Sequence, residues 1–175
     1  MTRSPVGAPN RIIAVDTNVF LLLLGYQCLL LDRATGLQRS QVLGDLRGRS
    51  DTVPPERFDD LWQLFMSPGE RIVTHHVVAE VYGLRRRLRL RKDLVWRAAH
   101  TLLDLGIEEV PCSVLQIRER FGNELPLTEL GPTDAGLLYV AEDRKATILS
   151  EDGPLTHGAG TRGIRSLTLN QIGAI

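Results

Sequence analysis

Four acidic residues are the side chains of this sequence best suited to carry chemistry. They are Asp16, Glu80, Asp134 and Asp152, and the first and last of them follow short β-branched runs. Carboxylates that meet at one site repel each other and raise each other's pKa unless a cation neutralises them. An all-oxygen ligand set suits Mg²⁺ or Mn²⁺ better than zinc. If the fold gathers these acids, the sequence predicts a site for a hard divalent metal ion.

The elements that would position these acids alternate between strands and helices. Strands are predicted at residues 11–16, 71–74, 107–110, 146–150 and 164–169. Helices are predicted from residue 17 onward, at 56–66, from 75 to about 91, and at 93–105, 113–121 and 133–142, with a glycine-rich loop at 151–163. This alternation predicts an α/β fold, in which one parallel sheet is sandwiched between helices on both faces.

A parallel sheet would bring the four acids to the same edge. In open parallel sheets, ligands bind beyond the carboxyl ends of the strands. Asp16 and Asp152 follow strands, Glu80 lies on the helix that leaves the second strand, and Asp134 lies in the first turn of a later helix. Each acid also has an ordinary explanation as a helix cap, a turn residue or a partner of a helix dipole. Glu80 lies beside an apolar helical stripe, where a lone structural acid is uncommon.

Length and composition indicate one globular domain. The chain has 175 residues, of which 43% are hydrophobic and 24% charged. Residues 1–10 are predicted to be a flexible leader and 11–175 the folded domain, with an exposed insertion at about 32–55. The apolar run 19–31 is too short for a membrane span and is interpreted as a buried helix, so no membrane association is expected.

The two cysteines, Cys28 and Cys112, fit neither a disulfide framework nor a metal-ligand spacing. A reducing cytoplasm is therefore the expected location. His76 lies one turn before Glu80, a spacing that could bind a metal, although a helix-terminal histidine facing solvent is the favoured interpretation. Residues 158–163 match G-x-G-x-x-G but precede a strand, and are interpreted as part of a flexible loop beside the acids.

Charge contributes one further candidate feature. Twenty-one basic and 21 acidic residues give a formal net charge of zero. The total charge therefore excludes histone-like electrostatic binding of nucleic acid. The basic run 85–92 is interpreted mostly as a solvated helix face. Within it, helical angles place Arg87 and Arg91 in line with Glu80, so these two arginines are the candidates for contacting substrate phosphates.

Four short motifs follow one another in a recognisable order. They are V-D-T-N at 15–18, A-E at 79–80, P-T-D-A at 132–135 and I-L-S-E-D at 148–152. In this order the chain resembles the PIN-domain ribonucleases, including their toxin-like members, over almost its whole length. The resemblance implies a parallel sheet flanked by helices, with acids gathered around Mg²⁺ or Mn²⁺ to hydrolyse RNA phosphodiester bonds.

Carried over by position, the resemblance also implies roles for single residues. The catalytic metal ligands would be Asp16, Glu80, Asp134 and Asp152, with Asn18 and Ser150 as polar supports on the substrate side. Glu151 is an alternative to Asp152, and the insertion at 32–55 is longer than compact toxin-like members carry. RNA is the expected partner, and an antitoxin-like protein and a homodimer are further partners that the resemblance suggests. The rival hypothesis is a catalytically silent PIN-like module that binds RNA or protein.

Overall fold

The computed structural model describes residues 11–31, 56–67, 69–84, 92–122 and 130–172. Its strands are β1 Ile12–Val15, β2 Glu70–Thr74, β3 Ile107–Val110, β4 Thr147–Leu149 and β5 Ser166–Leu167. Its helices are α1 Thr17–Leu31, α2 Glu56–Met66, α3 His75–Leu84, α4 Lys92–Asp104, α5 Val114–Phe121, α6 Pro132–Arg144, α7 Gly153–Thr161 and α8 Leu169–Ile172. The predicted leader and the predicted insertion lie outside the described residues.

The five strands form one sheet in the order β3-β2-β1-β4-β5, and every neighbouring pair is parallel. The chain therefore moves outward from β1 to β3 and then returns to the other side of β1 as β4. This reversal is the switch point at which open α/β sheets bind ligands, beyond the carboxyl ends of β1 and β4. The predicted α/β class with a parallel sheet is confirmed.

The core is divided between the two faces of the sheet. Alternate residues of a strand face opposite sides, so Ile13 and Val15 pack with α1, α3 and α4, whereas Ala14 packs with α5, α6 and α7. The apolar run 19–31 lies within α1, which is buried along most of its length, as predicted. Among the described residues, no helix combines the length and the apolar character that crossing a membrane requires.

The prediction of a loop at 151–163 is wrong, because most of this segment is helix α7. Asp152 begins it as the N-cap, accepting a hydrogen bond from the Leu155 backbone N at 2.8 Å. Gly158 lies where a Cβ would come within 3.3 Å of Leu130 Cδ1. The glycine thus permits close packing of a helix, and does not mark a loop.

The end of the described chain also differs from the prediction. The strand predicted at 164–169 is limited to Ser166–Leu167, and the helix Leu169–Ile172 follows it at once. Leu169 and Ile172 are buried, and α8 packs against α2. The other predicted elements agree with the structure to within two residues at each described end, while residues 85–91 of the long helix lie outside the described part.

Candidate functional site

Asp16 lies directly after β1 and is only 3% exposed. Its Oδ2 accepts a hydrogen bond from Ser150 Oγ at 2.5 Å, and its Oδ1 accepts one from the Asn18 backbone N at 3.1 Å. Ser150 is fully buried directly after β4, so the first bond joins the carboxyl ends of two adjacent strands. Together these bonds fix the Asp16 carboxylate at the switch point of the sheet.

Ser150 supports a second acid as well. Its Oγ accepts a hydrogen bond from the Asp152 backbone N at 2.9 Å while donating to Asp16. The predicted support from Ser150 is thus a side-chain contact, whereas the contact from Asn18 comes from its backbone amide, and its side chain is exposed. One buried hydroxyl therefore sets the relative position of the two strand-end acids.

Glu80 reaches the site from α3. Its Oε2 accepts a hydrogen bond from Thr17 Oγ1 at 3.0 Å, which connects α3 to the first residue of α1. Val77 and Val81 on the same helix are buried, and Glu80 lies on the exposed side of that stripe. Because Thr17 follows Asp16 in the chain, this bond brings the third acid beside the first.

Asp134 lies in the first turn of α6 and is partly buried. Burial raises the pKa of its carboxyl group to about 6, and the nearby charges of Asp16, Asp152 and Glu80 add to that rise. The helix packs against β1, β2 and β4, which is how it brings its first turn to the same rim. The structure therefore gathers the four predicted acids, although they come from four different parts of the chain.

The Asp16 carboxyl group also has a raised pKa. Burial is the largest cause, and the charges of Asp152 and Glu80 contribute, while the hydrogen bonds from Ser150 and Asn18 oppose the rise. Among the described residues, no lysine, arginine or histidine forms an ion pair with the four acids. The described part of the protein therefore supplies no cationic partner for the negative charge of these acids.

The donor chemistry of this cluster fits a hard divalent cation. Carboxylate oxygens are the preferred ligands of Mg²⁺ and Mn²⁺. A cation would stabilise the ionised forms of Asp16 and Asp134, whose pKa values are raised mainly by burial and further by the neighbouring acids. Within the described ranges, the only three potential ligands with donor atoms all within 4.8 Å of one another are His75, His76 and Cys112. Among the described residues, no three of the four carboxylates form such a group.

The structure also separates Asp152 from its neighbour Glu151. A Glu151 side-chain oxygen accepts a hydrogen bond from the Leu169 backbone N, which ties it to the start of α8. The charge of Asp152, in contrast, acts on both Asp16 and Asp134. Asp152 is therefore the acid that belongs to the cluster.

The two arginines predicted to contact phosphates, Arg87 and Arg91, lie outside the described residues. Their alignment with Glu80 stays a prediction.

A second group of polar side chains lies after β2 and β3. His75 Nδ1 accepts a hydrogen bond from the Cys112 backbone N at 3.2 Å, and His76 Nε2 donates one to the Cys112 carbonyl at 3.0 Å. The interpretation of His76 as a solvent-facing helix end is wrong, because it is partly buried and bound to the β3–α5 connection. Burial lowers its pKa, and the neighbouring His75 lowers it further, against the opposing effect of the bond to Cys112.

Sequence spacing gave no signal for this group, since Cys112 lies 36 residues from His76. The order of the strands in the sheet is what brings these residues together. Thr74 and Val110 pair at the ends of the adjacent parallel strands β2 and β3, so the residues that follow them become neighbours.

No protein-family model matches this chain, and no curated protein matches it. The fold and the site define it as an α/β protein with an all-parallel sheet and an acidic cluster at the switch point.

Proposed function

We propose that this protein is a metal-dependent, PIN-like ribonuclease that hydrolyses RNA phosphodiester bonds at the four-carboxylate site. The observation that carries the proposal is the electrostatic coupling of Asp16, Glu80, Asp134 and Asp152 at the carboxyl end of the sheet. The motif order in the sequence supports the same function independently of this geometry. Mg²⁺ or Mn²⁺ is the proposed cofactor and RNA the proposed substrate.

The energetics of the cluster favour a functional origin. Clustered carboxylates without a cationic partner destabilise the folded state, and the raised pKa values of Asp16 and Asp134 report that destabilisation. Capping and helix-dipole interactions account for acids of this cluster singly, as the N-cap bond of Asp152 does, but they do not account for the gathering of all four at one rim. Local conflicts of this kind are expected at functional sites, where binding a ligand compensates for them.

Hydrogen bonds position three of the four acids before any ligand arrives. Ser150 and the Asn18 amide hold Asp16, Thr17 holds Glu80, and the start of α7 holds Asp152. Such preorganisation keeps ligands near their working positions and lowers the entropy lost on binding. Asp134 would complete the ligand set from α6.

A bound divalent cation would supply a water molecule of lowered pKa and neutralise charge on the leaving oxygen. The carboxylates of Asp16, Glu80, Asp134 and Asp152 would hold it, and no protein nucleophile is needed for hydrolysis. Protonation of Asp134, whose pKa is raised to about 6, removes one ligand charge. The metal-free protein is therefore expected to bind the cation more weakly as the pH drops below about 6.

Cys28 and Cys112 are buried and form no disulfide, which is compatible with a reducing compartment, and we propose a cytoplasmic location. An antitoxin-like partner and a homodimer stay predictions from the resemblance.

The deciding experiment incubates the purified protein with a mixed RNA pool in Mn²⁺ and, in parallel, in EDTA. We expect the RNA to be shortened only with Mn²⁺. If the protein lowers the mobility of RNA without shortening it in either condition, the rival function, a catalytically silent binding module, replaces the nuclease. A pool left unchanged in both length and mobility argues against both functions.

A further inference from the structure

We propose that His75, His76 and Cys112 form a second metal site, which binds a borderline-soft ion such as Zn²⁺ through two imidazole nitrogens and one thiolate. This inference does not depend on the proposed nuclease activity. Two nitrogens and one sulfur are a ligand set that suits zinc and not Mg²⁺ or Mn²⁺. The site therefore differs in metal preference from the four-carboxylate cluster.

The distances come close to what a zinc ion requires. One donor atom from each residue lies within 4.8 Å of the other two. Bonds of about 2.0–2.1 Å to nitrogen and about 2.3 Å to sulfur in a tetrahedron place ligand atoms roughly 3.3–3.8 Å apart. Inward movements of about 1 Å or less by the side chains would close that gap, which is within the range of small χ rotations.

Hydrogen bonding defines the present state of the two rings. A carbonyl can only accept, so His76 Nε2 carries the proton, and an ion would bind either Nδ1 or, once the bond to Cys112 is given up, Nε2. Donation of the second ring N–H to a backbone carbonyl is the arrangement that commonly orients metal-binding histidines. For His75, the lone pair on Nδ1 is shared only with the Cys112 amide over a long 3.2 Å bond, which an ion would displace.

The packing around the site leaves room for the three ligands and little else. A Cβ at Gly136 of α6 would lie 3.0 Å from Cys112 Sγ and 3.2 Å from His76 Cδ2, so only glycine allows α6 to approach this closely. Cys112 itself is 1% exposed, but Pro111 and Ser113 on either side are exposed. The loop that carries Cys112 is thus at the surface, and His75 and His76 beside it are partly exposed.

Binding also has a definite proton balance. Cys112 is a free thiol, and the sulfur binds as a thiolate, so the metal–sulfur bond forms as the S–H bond breaks. One proton is released to solvent for each ion bound. The histidines bind as neutral rings and contribute no proton.

Co²⁺ is a suitable probe, because thiolate coordination gives it a charge-transfer absorption that oxygen ligands do not produce. We expect the reduced, full-length protein to develop this absorption and to saturate at one ion per chain. Zn²⁺ should abolish the absorption by displacement, and an excess of Mg²⁺ should not. A titration without any thiolate absorption would overturn the proposal.

Matched variants identify the ligands. Cys112→Ser should lose the absorption and Cys28→Ser should keep it; the reverse result would overturn the assignment. His75→Asn retains an acceptor toward the Cys112 amide, and His76→Gln retains a donor toward its carbonyl, so both spare the fold while removing a ring ligand. Each should weaken Co²⁺ binding by roughly tenfold or more, as even loss of an outer hydrogen-bond partner does, and unchanged affinity in both would contradict the site.

Asp16→Asn tests whether the two sites are separate. It should leave the Co²⁺–thiolate absorption and its midpoint unchanged. Loss of the absorption in this variant would show that no independent second site exists.

Discussion

The four-carboxylate cluster and the His75–His76–Cys112 cluster lie beyond the carboxyl ends of the strands of one sheet. They differ in how well the surrounding protein stabilises their polar groups. In the first, burial and like charges raise the pKa of Asp16 and Asp134. In the second, both imidazole rings have backbone hydrogen-bond partners at Cys112. The ionised carboxylates of Asp16 and Asp134 are therefore destabilised without a cation, whereas backbone hydrogen bonds already satisfy one nitrogen of each ring in the second cluster.

This difference shows how one edge of a parallel sheet can carry two kinds of chemistry. Asp16 and Asp152 follow β1 and β4 at the switch point, and the second cluster follows β2 and β3. Helix α6 contacts both clusters, through Asp134 in its first turn and Gly136 just beyond it. Helix α3 also contributes to both, through Glu80 to the first and through His75 and His76 to the second. The two clusters therefore share two helices while differing in ligand type and charge.

The largest effect is expected from breaking the charged cluster at its most buried member. Asp16→Asn removes a ligand charge without changing side-chain volume, so Mn²⁺-dependent RNA cleavage should fall by about a hundredfold or more, similar to removing one preorganised stabilising group from an active site. Asp143→Asn, at an exposed position of α6, is the matched control and should cleave normally. Near-normal cleavage by Asp16→Asn would remove Asp16 from the active site.

Metal stabilisation provides the second test, because only the acid cluster should respond to Mn²⁺. A ligand at a hundredfold excess over its Kd stabilises the folded state by about 2.7 kcal/mol, which for a chain of this size is roughly 5–10 °C in Tm. Wild type should show this shift and Asp134→Asn much less of it. Thermal melts with Mn²⁺ and with EDTA measure both, and an undiminished shift in the variant would place Asp134 outside the metal site.

Much of the fold could be predicted because its signals are local. The β-branched run before Asp16 predicts β1, and strand-end acids in a parallel sheet share one edge whatever the details of packing. This rule brought Asp16 and Asp152 together without knowledge of any contact, and Glu80 and Asp134 were placed with them from their positions on the helices that adjoin the same edge. The contacts themselves, such as the one from Thr17 to Glu80, depend on how α1 packs against α3 and have no signal in the sequence.

Helix α7, which was predicted as a loop, and the cluster around Cys112, which was not predicted, also depend on contacts between distant parts of the chain. Helix α7 contains three glycines, which suggested a loop. Gly158 instead allows the helix to pack closely against the side chain of Leu130, which is distant in sequence. The cluster around Cys112 is equally non-local, because only the pairing of β2 with β3 brings His75 and His76 to it. Features that depend on a partner from another element were the ones that local patterns did not predict.

Removing the hydroxyl of Ser150 is expected to have a smaller effect on the protein. It also tests whether the two clusters are independent of each other. Ser150→Ala removes the donor to Asp16 Oδ2 and the acceptor for the Asp152 amide. Loss of a buried hydrogen bond to a charged group should lower the free energy of unfolding by about 2 kcal/mol. Chemical denaturation measures this, with Thr161→Ala, which removes an exposed hydroxyl from α7, as a control expected to change stability by less than about 0.5 kcal/mol. If Ser150→Ala instead weakened Co²⁺ binding at Cys112, the two clusters would not be independent.

The smallest expected effect is the pH dependence of stability in EDTA, because Asp134 is only partly buried and its repulsion is screened by solvent. Its folded-state pKa is raised from 3.8 to about 6, so its contribution to stability is fully present below pH 3.8 and is lost as the pH rises through 6. Asp134→Asn should therefore melt above wild type at pH 7, with the difference shrinking toward zero near pH 4. Titrating groups that do not interact with Asp134 are common to both proteins and cancel in this difference, while Asp16, Glu80 and Asp152 lose the same repulsion in the variant. Asp143→Asn, the control, should show no such trend. A lower Tm for Asp134→Asn than for wild type at pH 7 would contradict the prediction. It would mean that the favourable interaction of Asp134 with the α6 dipole exceeds the repulsion within the cluster.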